Sequence, residues 1–164
     1  MADEVITRAT LREYLARYLP AKRHLVELQK RARQIQKENE QSPLKAITYS
    51  GMPKSNNISD PTAAPLMRYA AAMEKVDNQT LEVEIIKTDV EAVLKYLPNG
   101  TDNKTIIEMK YIDGKSDAYI QQKYFFAHRS TVTYHINQGL DALLEIPAVI
   151  ETLKNFLKDK EKWQ

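Results

Sequence analysis

Hydrophobic and small residues in the first part of the chain recur at alternating steps of three and four. This stripe runs through Leu11, Tyr14, Tyr18, Ala21, Leu25, Leu28, Ala32 and Ile35. Such spacing is typical of a helix that buries one face against another helix. Pro20 interrupts the stripe, and proline fits either a kink in one long helix or the first turn of a second helix. The pattern therefore predicts one bent helix or two consecutive ones.

A second stripe with the same period extends as far as Leu97. We predict that its helix begins near Thr62, which can cap it, with Pro65 tolerated in the first turn. Pro98 and Gly100 are expected to stop this helix, because proline cannot continue a helix and glycine favours its end.

The segment between the two stripes, residues 41–64, is rich in Ser, Asn, Pro and Gly and predicts a long loop. Its Met52-Pro53-Lys54 run could contact DNA or a partner, or could belong to a solvated linker. Two heptad-like helices of similar length predict an antiparallel hairpin or one half of a dimeric bundle. We therefore assign residues 1–97 to a region of long helices that serves assembly or partner contact.

Residues 98–147 fit three short helices, at about 104–112, 116–124 and 128–146. The hydroxyl of Ser116 can cap the second of these helices. A short turn separates the second helix from the third. A helix, a turn and an amphipathic helix in this order predict a helix-turn-helix domain.

Residues 148–164 predict a C-terminal amphipathic helix for docking or dimerisation. Its apolar residues are Val149, Ile150, Leu153, Phe156, Leu157 and Trp163. The chain as a whole is predicted to be all-α. Long N-terminal helices, in a hairpin or bundle, precede the trihelical helix-turn-helix domain and the C-terminal helix.

The third short helix is amphipathic in the way that a DNA-reading helix requires, because one face must hold the fold while the other meets the duplex. Its inward stripe consists of Val132, Ile136, Leu140, Leu143 and Leu144. The opposite side offers donors and acceptors that can reach base edges and phosphates in a major groove. We predict a DNA-binding surface made of Lys115, Ser116, Lys123, His128, Arg129, Ser130, Thr131, Thr133, Tyr134 and Asn137.

Aromatic residues occupy the turn before this helix. Tyr124, Phe125 and Phe126 could stack on bases, but we expect them to fill the core. His128 is expected to cap the helix or to lie beside a phosphate, and His135 to be half-buried. Their separation of seven residues argues against a metal-binding pair, which needs three- or four-residue spacing on a helix. We predict no metal site.

Composition narrows the chemistry further. The 164 residues include no cysteine, which excludes disulfides and thiolate nucleophiles. The sequence contains no glycine-rich phosphate loop and no Ser/His/Asp set at a recognised spacing, so we predict neither enzymatic activity nor a cofactor. No apolar run approaches the roughly 18 residues that a membrane span needs, and the first residues lack a secretory signal. We expect a soluble, cytoplasmic protein with no membrane partner.

Charge is distributed unevenly along the chain. Residues 98–147 hold five Lys/Arg against six Asp/Glu, whereas residues 1–40 hold nine against six. The predicted DNA-binding segment is therefore not basic, although many such modules are. Its affinity for phosphate must come from locally placed cations, from the N-terminal helix or from a second copy. We expect a homodimer that binds two half-sites.

The segment from Ile106 to Leu144 resembles region 4 of bacterial sigma factors. The resemblance rests on Tyr111-Ile112-Asp113-Gly114, Ser116, Ile120, Ser130-Thr131-Val132, Gly139-Leu140 and Leu143. The turn before the last helix is about one residue longer than in sigma factors and lacks their usual glycine.

Upstream, Ser50-Gly51-Met52-Pro53-Lys54-Ser55 and Tyr96-Leu97-Pro98 resemble the ArpU/RinA-type late transcriptional regulators of phages. Together the two resemblances cover roughly residues 10–146. They imply binding to double-stranded DNA at a late promoter and activation of packaging or structural genes in a bacterial host, without catalysis or cofactor. Contact with RNA polymerase stays open.

Two other functions remain open at this point. A small terminase subunit also combines a helix-turn-helix with helical oligomerisation elements, and it would form a large ring. A helical scaffold or adaptor would use the same helices without touching nucleic acid.

Overall fold

A computed structural model describes residues 6–41 and 63–162. Every regular element in these ranges is a helix, which confirms the predicted all-α class. The helices are α1 (Arg8–Leu15), α2 (Tyr18–Gln41), α3 (Ala63–Leu94), α4 (Asp102–Tyr111), α5 (Asp117–Lys123), α6 (Arg129–Leu144) and α7 (Pro147–Glu161).

Pro20 lies in the first turn of α2, which follows α1 after a turn of two residues. The first turn of a helix has no internal partner for its backbone N–H groups, and proline loses nothing there. The side chain of Thr7 accepts a hydrogen bond from the backbone N–H of Thr10 and caps α1.

The described residues divide into two compact units, one from residues 6–22 and 83–162 and one from residues 23–41 and 63–82. The boundary that the sequence suggested at residue 98 does not coincide with this division. Leu11 of α1 and Leu94 of α3 are buried in the same core as α4–α7. The N-terminal helix and the end of α3 therefore belong structurally with the helix-turn-helix.

The core of the first unit is apolar, and α6 packs against α1, α4, α5 and α7. The predicted inward stripe of α6 is confirmed, because Val132, Ile136, Leu140 and Leu143 are buried. Leu144 is half-buried and packs against the same cluster.

The second unit contains an antiparallel pair formed by parts of α2 and α3. The side-chain amide of Asn39 donates to the carbonyl oxygen of Pro65 at 3.0 Å, so the end of α2 lies beside the start of α3. This pair is the antiparallel hairpin that the sequence predicted as one of two arrangements. Gln41, Ala63 and Ala64 of the predicted loop are helical. Residues 42–62 of that loop, with Thr62 and the Met-Pro-Lys run, lie outside the described residues.

Gly139 marks the closest approach of α6 to α4. A Cβ atom built at this glycine would overlap Cδ1 of Ile107, whose side chain is fully buried. We expect Gly139→Val to lower the free energy of unfolding by about 1–3 kcal/mol, because the added atoms must force the two helices apart. Urea unfolding followed by circular dichroism measures the change.

Ala142→Val is the matched control, since Ala142 is an exposed residue of the same helix. It should cost only the few tenths of a kcal/mol that separate alanine from valine in helix propensity. Equal stability of the two variants would contradict the close packing of α6 on α4.

Candidate nucleic-acid interface

The turn between α4 and α5 sets the position of the second helix of the helix-turn-helix. Gly114 adopts a left-handed backbone conformation, with φ of 70°, and the backbone N–H of Lys115 donates to the carbonyl oxygen of Met109 at 2.8 Å. The hydroxyl of Ser116 accepts from the backbone N–H of Tyr119 at 3.2 Å. Ser116 therefore caps α5, as the sequence predicted.

Cationic side chains lie at both ends of α5. Lys115, just before the helix, is exposed and holds its ammonium 5.0 Å from the ring centre of Tyr119. Lys123, the last residue of the helix, is also exposed. Asp117, the only acidic residue of α5, is paired with Lys110 at 2.8 Å. The exposed charge at the ends of this helix is therefore positive.

The first turn of α6 carries a cation where helices favour anions. Arg129 is the first residue of α6, it is exposed, and this turn contains no acidic residue. The ion pairs formed by the described residues do not include Arg129. Because the helix dipole places partial positive charge at this end, an uncompensated guanidinium here favours an anion from outside the chain.

The exposed face at the start of α6 consists of Arg129, Ser130, Thr133 and Tyr134; we call it the α6 face. All four residues are exposed, with Tyr134 at 58%. The Tyr134 hydroxyl oxygen accepts a hydrogen bond from the side-chain amide of Gln138 at 2.6 Å. Together they present a guanidinium fork and three hydroxyl groups to solvent.

Four other residues of the predicted surface need separate comment. Thr131 is half-buried, on the edge of the α6 face. His128 occupies the N-cap position of α6, but its side chain makes no capping hydrogen bond, so the capping alternative was wrong. His128 is exposed and adjoins Arg129. Lys123 is the last residue of α5, which packs against α6, and Lys115 lies in the turn before α5. Neither lysine belongs to the α6 face.

Contrary to the sequence prediction, the side chain of Asn137 is not free to contact DNA, because its oxygen accepts a hydrogen bond from Arg12 of α1. One turn further, Asp141 accepts a two-pronged hydrogen bond from Arg8. This hydrogen bond raises the pKa of the Arg8 guanidinium. The helical spacing alone put Asn137 on the solvent side of α6, and α1 then covers that part of the helix.

Sequence reasoning missed Arg8 and Arg12 as neighbours of α6. Leu11 and Leu15 fix α1 against the core, so the two arginines are held permanently beside α6. Arg8 compensates the only acidic residue of α6, Asp141. The excess of cations in residues 1–40 was the available indication.

The turn between α5 and α6 separates its aromatic residues. Phe126 stacks on His135 with 5.2 Å between ring centres, and Tyr124 stacks on Phe126 at 5.4 Å. His135 is half-buried, as predicted, and its Nδ1 lies 2.7 Å from the side-chain oxygen of Asn103.

Phe125 departs from the expectation that the aromatic cluster fills the core. Its side chain is 93% exposed, and its backbone is left-handed, with φ of 54°. The backbone N–H of Phe126 donates to the carbonyl oxygen of Gln121 at 3.0 Å. This bond closes the end of α5 and turns Phe126 inward, which leaves Phe125 outside.

Other kinds of site receive no support from residues 6–41 and 63–162. They contain no group of three or more His, Asp or Glu side chains that could hold a metal ion. None of their helices is long and apolar enough to cross a membrane. Comparison of the chain with protein families, with curated proteins and with solved structures finds no match.

Proposed function

We propose that the chain is a sequence-specific DNA-binding transcriptional regulator that activates late packaging or structural genes of a phage in the cytoplasm of a bacterial host. The α6 face carries this proposal. It combines an exposed Arg129, which forms no ion pair with the described residues, with three hydroxyl side chains on a helix whose opposite face is buried in the core. The promoter class rests on the sequence resemblance to the phage late regulators.

The first two turns of α6 would enter the major groove. An α-helix with its side chains is about 10–12 Å across, and the major groove is about 12 Å wide. Arg129 has the donor geometry that reads guanine O6 and N7, whereas hydroxyl groups of Ser130 and Thr133 can bond to bases or phosphates. Lys115 and Lys123, at the two ends of α5, would bind phosphates on the groove edge.

The low net charge of the helix-turn-helix favours binding as a dimer, because two weak sites on one duplex gain affinity from linkage. Leu66 and Met67 on α3 in the second unit are 62% and 70% exposed, and exposed apolar side chains of this kind favour assembly. The same observation favours the second candidate, a small terminase subunit. Native mass separates the two, because a dimer supports the regulator and a large ring supports the terminase.

We expect Arg129→Ala to weaken binding by roughly tenfold to a hundredfold, as loss of a bidentate guanine contact does. The duplex would be selected from a randomised library by the wild-type protein, and fluorescence anisotropy would measure the affinity. Lys154→Ala is the matched control, since Lys154 is an exposed cation on α7. Equal affinity of both variants would remove Arg129 from the interface, and failure of the wild type to select any duplex would favour a scaffold.

A further inference from the structure

Phe125 has a backbone conformation and a solvent exposure that are both unfavourable for phenylalanine. Of the described residues other than glycine, it alone has a positive φ, a conformation that costs free energy when a Cβ atom is present. Its ring is 93% exposed, so packing within the chain does not offset this free-energy cost. Glycine would adopt the same backbone conformation without the cost. A strained, exposed aromatic residue of this kind points to a role outside the fold.

The residues around Phe125 indicate the charge of the partner that its ring would contact. Lys123, His128 and Arg129 are exposed within four residues of it, and residues 118–140 contain no Asp or Glu. These surroundings favour a polyanionic partner. Phe125 also lies in the turn that leads directly into the α6 face, so a duplex bound by that face must pass close to this turn.

We propose that Phe125 is a DNA-contact residue, whose ring packs against deoxyribose and base edges at the rim of the groove that α6 occupies. Lys123 would hold a phosphate on one side of the ring, and Arg129 would contact the base edges on the other. Aromatic and apolar side chains make such contacts with thymine methyl groups and with partly unstacked base steps. This inference rests on the proposed function, because it assumes that the α6 face binds duplex DNA.

Phe125→Gly tests the inference, because it should separate folding from binding. Glycine relieves the left-handed backbone, so we expect the melting temperature to be unchanged or higher. The affinity for the selected duplex should fall about tenfold, the size of a lost aromatic contact with nucleic acid. Phe125→Tyr keeps a ring and should retain affinity within about twofold. Tyr96→Ala removes an exposed aromatic residue outside α5 and α6 and should leave affinity unchanged.

Several results would overturn the inference. Wild-type affinity in Phe125→Gly, with Arg129→Ala still impaired, would remove Phe125 from the interface and leave the proposed function standing. A lower melting temperature in Phe125→Gly would show that the ring supports the fold. A change of native mass with unchanged DNA affinity would assign the ring to a protein interface. No binding by any variant or by the wild type would instead refute the proposed function itself.

Discussion

Replacing Leu140 by alanine should lower the free energy of unfolding by about 2–5 kcal/mol. Leu140 is 0% exposed and lies on the inward face of α6, in the cluster that joins this helix to α1, α4 and α5. The substitution loses the transfer free energy of the removed methyl and methylene groups and leaves a cavity that close-packed neighbours fill only in part. Urea unfolding followed by far-ultraviolet circular dichroism measures the loss.

Leu81→Ala provides the matched control for this prediction. Leu81 lies on α3 and is 60% exposed, so the same truncation there should change stability by no more than about 0.5 kcal/mol. If the two variants were equally stable, the core assigned to α6 would be wrong. The orientation of the α6 face would then lose its basis as well.

Ser130→Glu should raise the stability of the protein and greatly reduce its affinity for DNA. Ser130 is exposed in the first turn of α6, where a carboxylate interacts favourably with the helix dipole by about 0.3–1 kcal/mol. In the proposed complex, the same carboxylate would lie close to DNA phosphates and be repelled by them. Like-charge contacts at an interface cost several kcal/mol, so we expect affinity to fall by about two to three orders of magnitude.

Thermal melting and fluorescence anisotropy on one preparation measure both effects of Ser130→Glu. Asn155→Glu, on the exposed side of α7, makes the same change in net charge and should alter affinity only about twofold, since salt screens distant charges. A comparable loss in both variants would indicate a general charge effect. Retained affinity in Ser130→Glu would exclude the first turn of α6 from the DNA contact.

The sequence was sufficient for the buried face of α6 and for the cap of α5. The spacing of Val132, Ile136, Leu140 and Leu143 defined the buried face of α6, because only one helical orientation buries all four. Ser116 predicted the start of α5 correctly, since a capping hydroxyl needs only its own local backbone. Both inferences depend on interactions within a few residues of each other.

The placement of α1 could not be predicted in this way. A stripe containing Leu11 and Leu15 indicates that a helix buries one face, but it does not identify the helix on the other side. The same spacing suits a long hairpin and the core of the helix-turn-helix, where α1 lies. The contact of Arg12 with Asn137, which removes Asn137 from the free surface, joins residues 125 positions apart.

The aromatic turn shows a second limit. Phe125 and Phe126 are adjacent and chemically identical, so hydrophobicity cannot decide which of them is buried. The left-handed backbone at Phe125 makes that choice, and a left-handed phenylalanine is too uncommon for sequence reasoning to expect. A position that is 93% exposed was therefore one that the aromatic pattern assigned to the core.

The most direct measurement of the central claim is a nuclear magnetic resonance titration of isotope-labelled protein with the selected duplex. We predict that the amide resonances of Arg129, Ser130, Thr133 and Tyr134 shift or broaden together at substoichiometric duplex, while that of Lys154 on α7 stays in place. Unchanged resonances along the α6 face, with the duplex bound elsewhere or not at all, would contradict it.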